Sequence, residues 1–342
     1  MTTPNLFHYA TSELSQDAFI CYLLAWANPE CREADLSLHK CSLDFISNLI
    51  RKSESTPPEH IDSINVHRQR FHLDILAEIN GEIVLGIEDK TWTKGHGTQL
   101  KDYHVAVKNE YPGKRVCLIY LKTGNESPSG LSLYREDDFH CFGRGEFLSL
   151  LNGYNGHNAI VKDFRDRLVE LEGWTNAFRD IPISQWNSWQ WQGFYNELHR
   201  QYNDLEWDYV PNPAGGFMGA WWHWQPNGGL GTRFYLQFEQ DKLCIKVEDG
   251  GCRVRESWKK HKLLHLINDK CAAIPKLAQH GYCFLKPARF GSGTYMTIGV
   301  LKSPETGYGI PRHVNGTVNL KMLFEVTDSL GSLVDQLGTV AV

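Results

Sequence analysis

Two short runs between Phe71 and Lys90 place apolar residues at alternate positions. In the first run these are residues 71, 73, 75, 77 and 79, and in the second they are 83, 85 and 87. A period of two is typical of a β-strand, because successive side chains of a strand point to opposite faces. Asn80 and Gly81 lie between the runs and favour a tight turn. The sequence therefore predicts a β-hairpin, around which the rest of this region must fold.

Three charged residues, Asp74, Glu88 and Lys90, occupy positions out of phase with those apolar residues. A two-residue loop would set Asp74 and Glu88 on opposite faces of the sheet. A three-residue loop over residues 80–82, or an equivalent bulge, would pair Ile79 with Ile83 and set Asp74 across from Glu88. Cross-strand neighbours lie about 5 Å apart, so two carboxylates could then hold one divalent cation. We predict the longer loop.

This grouping of side chains suits a particular chemistry. Two adjacent carboxylates repel each other unless one is protonated or a cation lies between them. Mg²⁺ prefers hard oxygen ligands and keeps other positions for water and phosphate. A nearby lysine can hold a phosphate oxygen or orient an attacking water. The group therefore favours metal-assisted hydrolysis of a phosphodiester.

The pattern of Asp74, thirteen residues and then Glu88-Asp89-Lys90 resembles the PD-(D/E)xK nuclease superfamily. More narrowly, it is similar to stand-alone bacterial PD-(D/E)xK proteins, in which a glutamate-bearing helix precedes the motif and a Gln-Leu helix follows it. The chain departs from the motif at Leu73, where the superfamily has a proline that is not a ligand. The resemblance covers residues 5–122.

The resemblance implies a metal site. Asp74 and Glu88 would bind Mg²⁺, with Mn²⁺ as an alternative, and the carbonyl of Asp89 could assist. Glu13, on the first helix, would add a third carboxylate. The alternative for Glu13 is that an acidic residue simply stabilises the first turn of a helix.

The resemblance also assigns roles around the metal. Lys90 would position and help to deprotonate the attacking water. Gln99 and Tyr103, four residues apart on one helix face, would orient the phosphate or the lysine. The alternative is that these two residues form an ordinary polar flank.

We therefore expect a Mg²⁺-dependent nuclease acting on DNA, with bacterial defence or mobile-element biology implied by the resemblance alone. Double-strand cleavage by one such site would favour a homodimer. The alternative is a catalytically silent nucleic-acid-binding or sensing protein on the same fold. The complete set of Asp74, Glu88 and Lys90 argues against that alternative, because a decayed site usually loses one member.

The first part of the chain is expected to be α/β, with a restriction-endonuclease-like αβββαβ core and a mixed sheet. The continuous apolar run at residues 116–121 is typical of a strand buried on both faces. The predicted elements are helices at 12–27, 36–52, 98–111 (capped by Thr98) and 158–178, strands at 64–70, 71–79, 83–90 and 116–121, and a loop at 123–130.

A change of composition near residues 180–182 predicts a domain boundary, giving a nuclease-like domain 1–180 and an accessory domain 181–342. The second domain is expected to be α+β with an antiparallel sheet. Its predicted elements are helices at 185–203, 256–280 and 317–337, and strands at 217–225, 230–239, 243–248, 282–287 and 294–301.

Two clusters in the second domain have competing interpretations. Residues 221–224, Trp-Trp-His-Trp, could form an aromatic platform for bases, but alternate side chains of a strand face opposite ways, so we favour packing. Residues 259–262, Lys-Lys-His-Lys, with Arg253 and Arg255, form the densest basic patch and could contact phosphates, although such runs are usually solvated.

Charge, cysteine content and apolar runs restrict the kind of surface, the redox state and the location that this chain can have. The net charge of −5 argues against a uniformly basic nucleic-acid-binding surface, so any DNA contact must be local. The nine cysteines form no Cys-x-x-Cys pair, which favours reduced thiols over disulfides or zinc. The N-terminal residues lack a signal-peptide pattern, and no apolar run is long enough to span a bilayer. The expected location is therefore the cytoplasm, without membrane association.

Overall fold

The structure is a computed structural model that describes residues 4–92, 99–212, 215–251, 254, 256–305 and 307–339. The chain forms two compact units, Met1–Gly173 and Trp174–Val342. Within the described residues, no helix has the length and apolar character needed to cross a membrane.

The first unit is built on a five-stranded sheet in the order β1-β2-β3-β4-β5. Strands β1, β2 and β3 are antiparallel, whereas β3, β4 and β5 are parallel. The sheet is therefore mixed, as predicted. The elements are α1 (Glu13–Ala25), α2 (Leu36–Lys52), β1 (Ile64–Arg70), β2 (Leu73–Ile79), β3 (Ile83–Lys90), α3 (Gln99–Glu110), β4 (Arg115–Lys122), α4 (Pro128–Glu136), β5 (Phe139–Gly143), α5 (Arg144–Asn152) and α6 (Ala159–Asn176).

Burial explains why these elements form. The apolar run of β4 is buried from Cys117 to Leu121, as expected for a strand covered on both faces. Helix α1 buries an apolar stripe that includes Phe19, Leu23 and Leu24. The hairpin strands β2 and β3 are also buried along most of their length, so their polar side chains lie in a largely enclosed environment.

The second unit contains a six-stranded antiparallel sheet in the order β10-β11-β9-β8-β7-β6. This confirms the predicted α+β architecture. The elements are α7 (Ser188–Gln201), β6 (Glu206–Val210), β7 (Phe217–Asn227), β8 (Thr232–Glu239), β9 (Lys242–Glu248), α8 (Ser257–Ala273), α9 (Pro275–Gln279), β10 (Cys283–Leu285), β11 (Tyr295–Lys302) and α10 (Leu320–Gly338).

The structure corrects several predicted elements. Phe71 lies with His72 in a turn between β1 and β2 rather than in a strand. The predicted loop at 123–130 overlaps the start of α4, and the elements β5, α5 and β6 were not predicted. The helix predicted at 256–280 is two helices, because Pro275 cannot continue the first. The predicted Thr98 cap lies outside the described residues.

Candidate active site

The hairpin between β2 and β3 has the register of the longer loop. Ile79 pairs with Ile83 and Ile75 pairs with Ile87, so the prediction is confirmed. Asn80 and Gly81 both have positive φ angles, 53° and 67°, which asparagine and glycine adopt at low cost. Continued by one residue, this register directs Asp74 towards Glu88.

Lys90 joins the two carboxylates at the end of the hairpin. Its ammonium Nζ lies 2.7 Å from Glu88 Oε1 and 3.2 Å from Asp74 Oδ2. It also donates a hydrogen bond to the carbonyl oxygen of Asp89, at 2.9 Å. One cation is thus surrounded by two carboxylates and a carbonyl, and the structure brings Asp74, Glu88 and Lys90 together.

The oxygens of this cluster fit the ligand set of a small hard cation. Glu88 is 1% exposed, and its Oε2 has no hydrogen-bond partner among the described residues. Asp74 Oδ2 accepts a hydrogen bond from the Asp89 backbone N–H at 2.8 Å, which fixes its position. The described residues contain no group of three or more His, Cys, Asp or Glu side chains arranged to hold a metal. The carboxylates that meet at this point are thus those of Asp74 and Glu88, which with a carbonyl and water could supply oxygen ligands to a metal.

The electrostatics of the cluster follow from burial and proximity. Burial, and then the neighbouring charge of Asp74, raise the pKa of Glu88 to about 7, although the hydrogen bond and charge of Lys90 oppose both effects. Burial alone would lower the pKa of Lys90, but the hydrogen bond and charge of Glu88, and then Asp74, raise it above its usual value. Lys90 is therefore an ammonium ion in this arrangement.

Glu13 anchors the chain that follows β3. Its Oε1 accepts hydrogen bonds from the backbone N–H groups of Thr91 and Trp92, at 2.9 Å and 3.2 Å. The first turn of α1 is thereby fixed to the end of the strand that carries Glu88 and Lys90. A direct role of Glu13 as a metal ligand remains a prediction.

A polar network beside the motif was not found by sequence reasoning. Gln16 donates to Asp89 Oδ1 at 2.5 Å, and its Oε1 accepts from the hydroxyl of Thr123 at 2.9 Å. The Thr91 and Thr123 hydroxyls lie 2.8 Å apart. The network joins α1 to the ends of β3 and β4. Its one sequence signal was that Gln16 follows Glu13 by three residues and shares its helix face.

Gln99 and Tyr103 lie at the start of α3 and are hydrogen-bonded to each other through the Gln99 amide and the tyrosine hydroxyl. The Tyr103 ring is stacked against His72, with centroids 5.9 Å apart and 18° between the planes. His72 is in the turn that leads into β2, two residues before Asp74. The pair is thus linked to the Asp74 strand, and its action on phosphate remains a prediction.

The predicted basic patch of the second unit does not form a row of solvated charges. Lys260 is buried and donates to the carbonyl of Gly291, and Lys259 pairs with Glu256 at 3.1 Å. Arg253 and Arg255 lie outside the described residues.

The first unit is thus an α/β domain whose mixed sheet brings two carboxylates and a lysine together at the ends of adjacent strands. The family model of the PD-(D/E)XK nuclease superfamily matches residues 4–191, more than half of the chain, and the chain belongs to that superfamily. The match begins before α1 and continues past the end of the first unit into α7. Comparison with curated proteins and with solved structures gives no match.

Proposed function

We propose that this protein is a metal-dependent nuclease that hydrolyses phosphodiester bonds in DNA. The observation that carries the proposal is the convergence of Asp74, Glu88 and the Asp89 carbonyl on one cation, the Lys90 ammonium. The unpartnered buried oxygen of Glu88 supports a further cation at this position. Membership of the PD-(D/E)XK superfamily supports the reaction class.

Asp74 and Glu88 would hold Mg²⁺, or Mn²⁺ in its place, together with the carbonyl oxygen of Asp89. A metal ion bound there would polarise the phosphoryl group and lower the pKa of a bound water. Glu13 holds the backbone at Thr91 and Trp92, and we propose it as an additional carboxylate of the metal site.

Lys90 would act as a donor. Because its pKa is raised, it remains charged and can orient an attacking water or hold a phosphate oxygen by donating hydrogen bonds. This favours a positioning role over the removal of a proton. Gln99 and Tyr103, which are hydrogen-bonded to each other, would orient the phosphate or the lysine from α3.

Cleavage of supercoiled plasmid DNA tests the proposal. We expect nicking with Mg²⁺ or Mn²⁺ and none with EDTA. Asp74→Asn and Lys90→Met should each lower the rate by about 100-fold or more, since the first removes a proposed metal ligand and the second removes a cation that would hold the phosphate or the attacking water. Lys162→Met, which changes an exposed lysine of α6, is the matched control and should cut like the wild type.

Equal cutting by wild type, Asp74→Asn and Lys90→Met would contradict the proposal. DNA binding without cleavage by any of them would favour the alternative of a silent nucleic-acid-binding protein. Cleavage of both strands by one such site would favour a dimer, so we propose a homodimer on duplex DNA, which sedimentation of the complex tests. A role in bacterial defence or mobile-element biology is consistent with such an activity and rests on the family alone.

A further inference from the structure

A β-bulge in the second unit brings two tryptophans to the same face of the sheet. Trp222 pairs with Leu236 and Gln225 pairs with Phe234, so β7 has one more residue than β8 between these pairs. His223 has a positive φ of 58° at this point. Strict alternation would send Trp221 and Trp224 to opposite faces, but the extra residue lets both face one cavity.

Trp222 behaves differently from its neighbours. It is 1% exposed and packs in the core of the second unit, so the predicted packing role is confirmed for this residue. Trp221 and Trp224, by contrast, line a cavity of about 300 Å³, which is within the size range of small-ligand sites. The lining residues are Val210, Trp221, Trp224, Tyr235, Gln237, Lys246 and Tyr295.

The walls of this cavity are aromatic, and the indole of Trp221 is not stacked on another ring of the described residues. Trp224 is stacked on Tyr235 at a centroid distance of 3.9 Å, and Tyr295 meets Tyr235 edge-on, at 88°. Trp221 makes no ring contact with any residue in the part of the chain that the structure describes. Its partly exposed face is therefore available to stack on a flat ligand.

The polar groups of the cavity suit an uncharged ligand with a hydrogen-bonding edge. Gln237 is 5% exposed, and its side chain makes no hydrogen bond within the described ranges. The amide lines the cavity, where its N–H can donate and its oxygen can accept hydrogen bonds from the edge of a ligand. The charge of Lys246 is balanced by Glu239, 2.9 Å away, so the cavity is not an anion site.

We propose that this cavity binds one unstacked nucleobase, either of a free nucleotide or of a nucleic-acid strand. A planar ring would stack on Trp221 while its edge pairs with the Gln237 amide, the combination by which proteins hold a base removed from its stack. The choice of a nucleobase among planar ligands rests on the proposed nuclease function. The existence of the pocket does not depend on it.

Calorimetric titration of the full-length protein in EDTA tests the inference without cleavage. The probes are the four deoxynucleoside monophosphates and a single-stranded oligonucleotide. Trp221→Ala should weaken binding by about tenfold or more, the size expected for one lost base–aromatic stack. Gln237→Leu, which keeps the side-chain volume, should weaken binding and reduce discrimination between bases. Trp258→Ala, at an exposed tryptophan of α8 outside the cavity, is the matched control.

If the wild type binds both the nucleotides and the oligonucleotide, and Trp221→Ala weakens both, the pocket accepts any accessible base. Binding of the oligonucleotide alone, with the same loss in Trp221→Ala, identifies a base presented by a strand. No binding, or equal binding by wild type, Trp221→Ala and Gln237→Leu with intact circular dichroism spectra, overturns the inference. Because this binding is measured in EDTA, where the proposed nuclease site lacks its metal, a failure of the proposed cleavage would be seen separately from a failure of the pocket.

Discussion

Asp89 stands between Glu88 and Lys90 in the sequence, but its side chain has a different environment. It is fully buried, and its carboxyl group meets that of Asp17, another buried residue, on α1. Asp17 Oδ1 and Asp89 Oδ2 have no hydrogen-bond donor among the described residues when both groups are ionised. One proton shared between the two groups supplies a donor, so we expect the pair to carry a single negative charge.

This shared proton makes the stability of the fold depend on pH. Burial, and then the charge of Asp74, raise the pKa of Asp17 to about 6 from the ordinary value of 3.8. Burial and the charge of Asp17 also raise the pKa of Asp89 well above that value. Because the folded pKa of Asp17 is the higher one, its stabilising contribution is complete below about pH 4 and is lost as the pH rises through about 6.

Asp17→Asn should therefore stabilise the protein at pH 7.5 and not at pH 4. The amide cannot ionise and can donate a hydrogen bond to Asp89, so we expect a gain in unfolding free energy of about 1–3 kcal/mol at the higher pH. Urea denaturation in EDTA at both pH values measures it. Asp44→Asn, at an exposed aspartate of α2, should change stability by less than about 0.5 kcal/mol at either pH. A loss of stability at pH 7.5 in Asp17→Asn would refute the shared proton.

At the scale of elements, the two hairpins of the first unit differ in how well their turns can be predicted from the sequence. The β2–β3 turn uses Asn80 and Gly81, residues that accept positive φ angles, and both its place and its register were predictable. The β1–β2 turn uses Phe71 and His72, with φ angles of 55° and 67°. Neither residue signals a turn, so Phe71 was assigned to a strand. The contacts seen at this turn are tertiary, such as the stacking of His72 on Tyr103, and cannot be recognised from the local sequence.

The region after β4 shows a signal that was present but missed. Ser127 caps α4 by accepting a hydrogen bond from the Gly130 N–H, and Pro128 is the first helical residue. A serine followed by proline is a typical helix start, so α4 was predictable in principle. Strand β5 is different, because its five residues show no alternation and only parallel pairing with β4 defines it. The role of Gln16 also depends on tertiary contacts, because its partners Asp89 and Thr123 are far from it in the sequence.

Gly124 permits the close approach of two chain segments behind the candidate site. A Cβ atom at this position would lie 1.9 Å from the carbonyl oxygen of Thr91, which belongs to the backbone and cannot move as a side-chain end can. Thr91 is also the residue whose N–H binds Glu13 and whose hydroxyl meets Thr123. The packing of β3 against the end of β4 therefore requires glycine here.

Gly124→Ala should destabilise the protein by about 1–3 kcal/mol, as overpacking usually does, and should also lower cleavage activity because the chain after Lys90 must shift. Thermal unfolding and the plasmid assay measure the two effects. Gly145→Ala is the matched control, since a Cβ there meets nothing within 4 Å and the residue lies in α5. Alanine is favoured over glycine in a helix, so this variant should be as stable as the wild type or more stable. Equal behaviour of the two variants would show that the approach to Thr91 is unimportant.

At the scale of the whole molecule, the chain carries two candidate sites on two different sheets. The carboxylate–lysine cluster belongs entirely to the unit Met1–Gly173, and the tryptophan-lined cavity belongs entirely to the unit Trp174–Val342. The second sheet is fully antiparallel and has its own apolar core. We therefore propose a division of labour in which the first unit cuts the phosphodiester and the second holds a base.

Hydrogen exchange of the full-length protein should separate the two sites. A ligand that binds only the folded state suppresses local opening around its own site, by a free energy that grows with ligand concentration over the dissociation constant. Mn²⁺ should slow exchange in peptides covering 71–92, where the Asp89 N–H is bound by Asp74, and not in those covering 217–248. Thymidine monophosphate should slow exchange in peptides covering 217–248 and not in those covering 71–92. Asp74→Asn should abolish the first effect only, and Trp221→Ala the second only. If Mn²⁺ alone protected both regions, the metal would be bound elsewhere. The same conclusion would follow if Mn²⁺ still protected peptides 71–92 in Asp74→Asn.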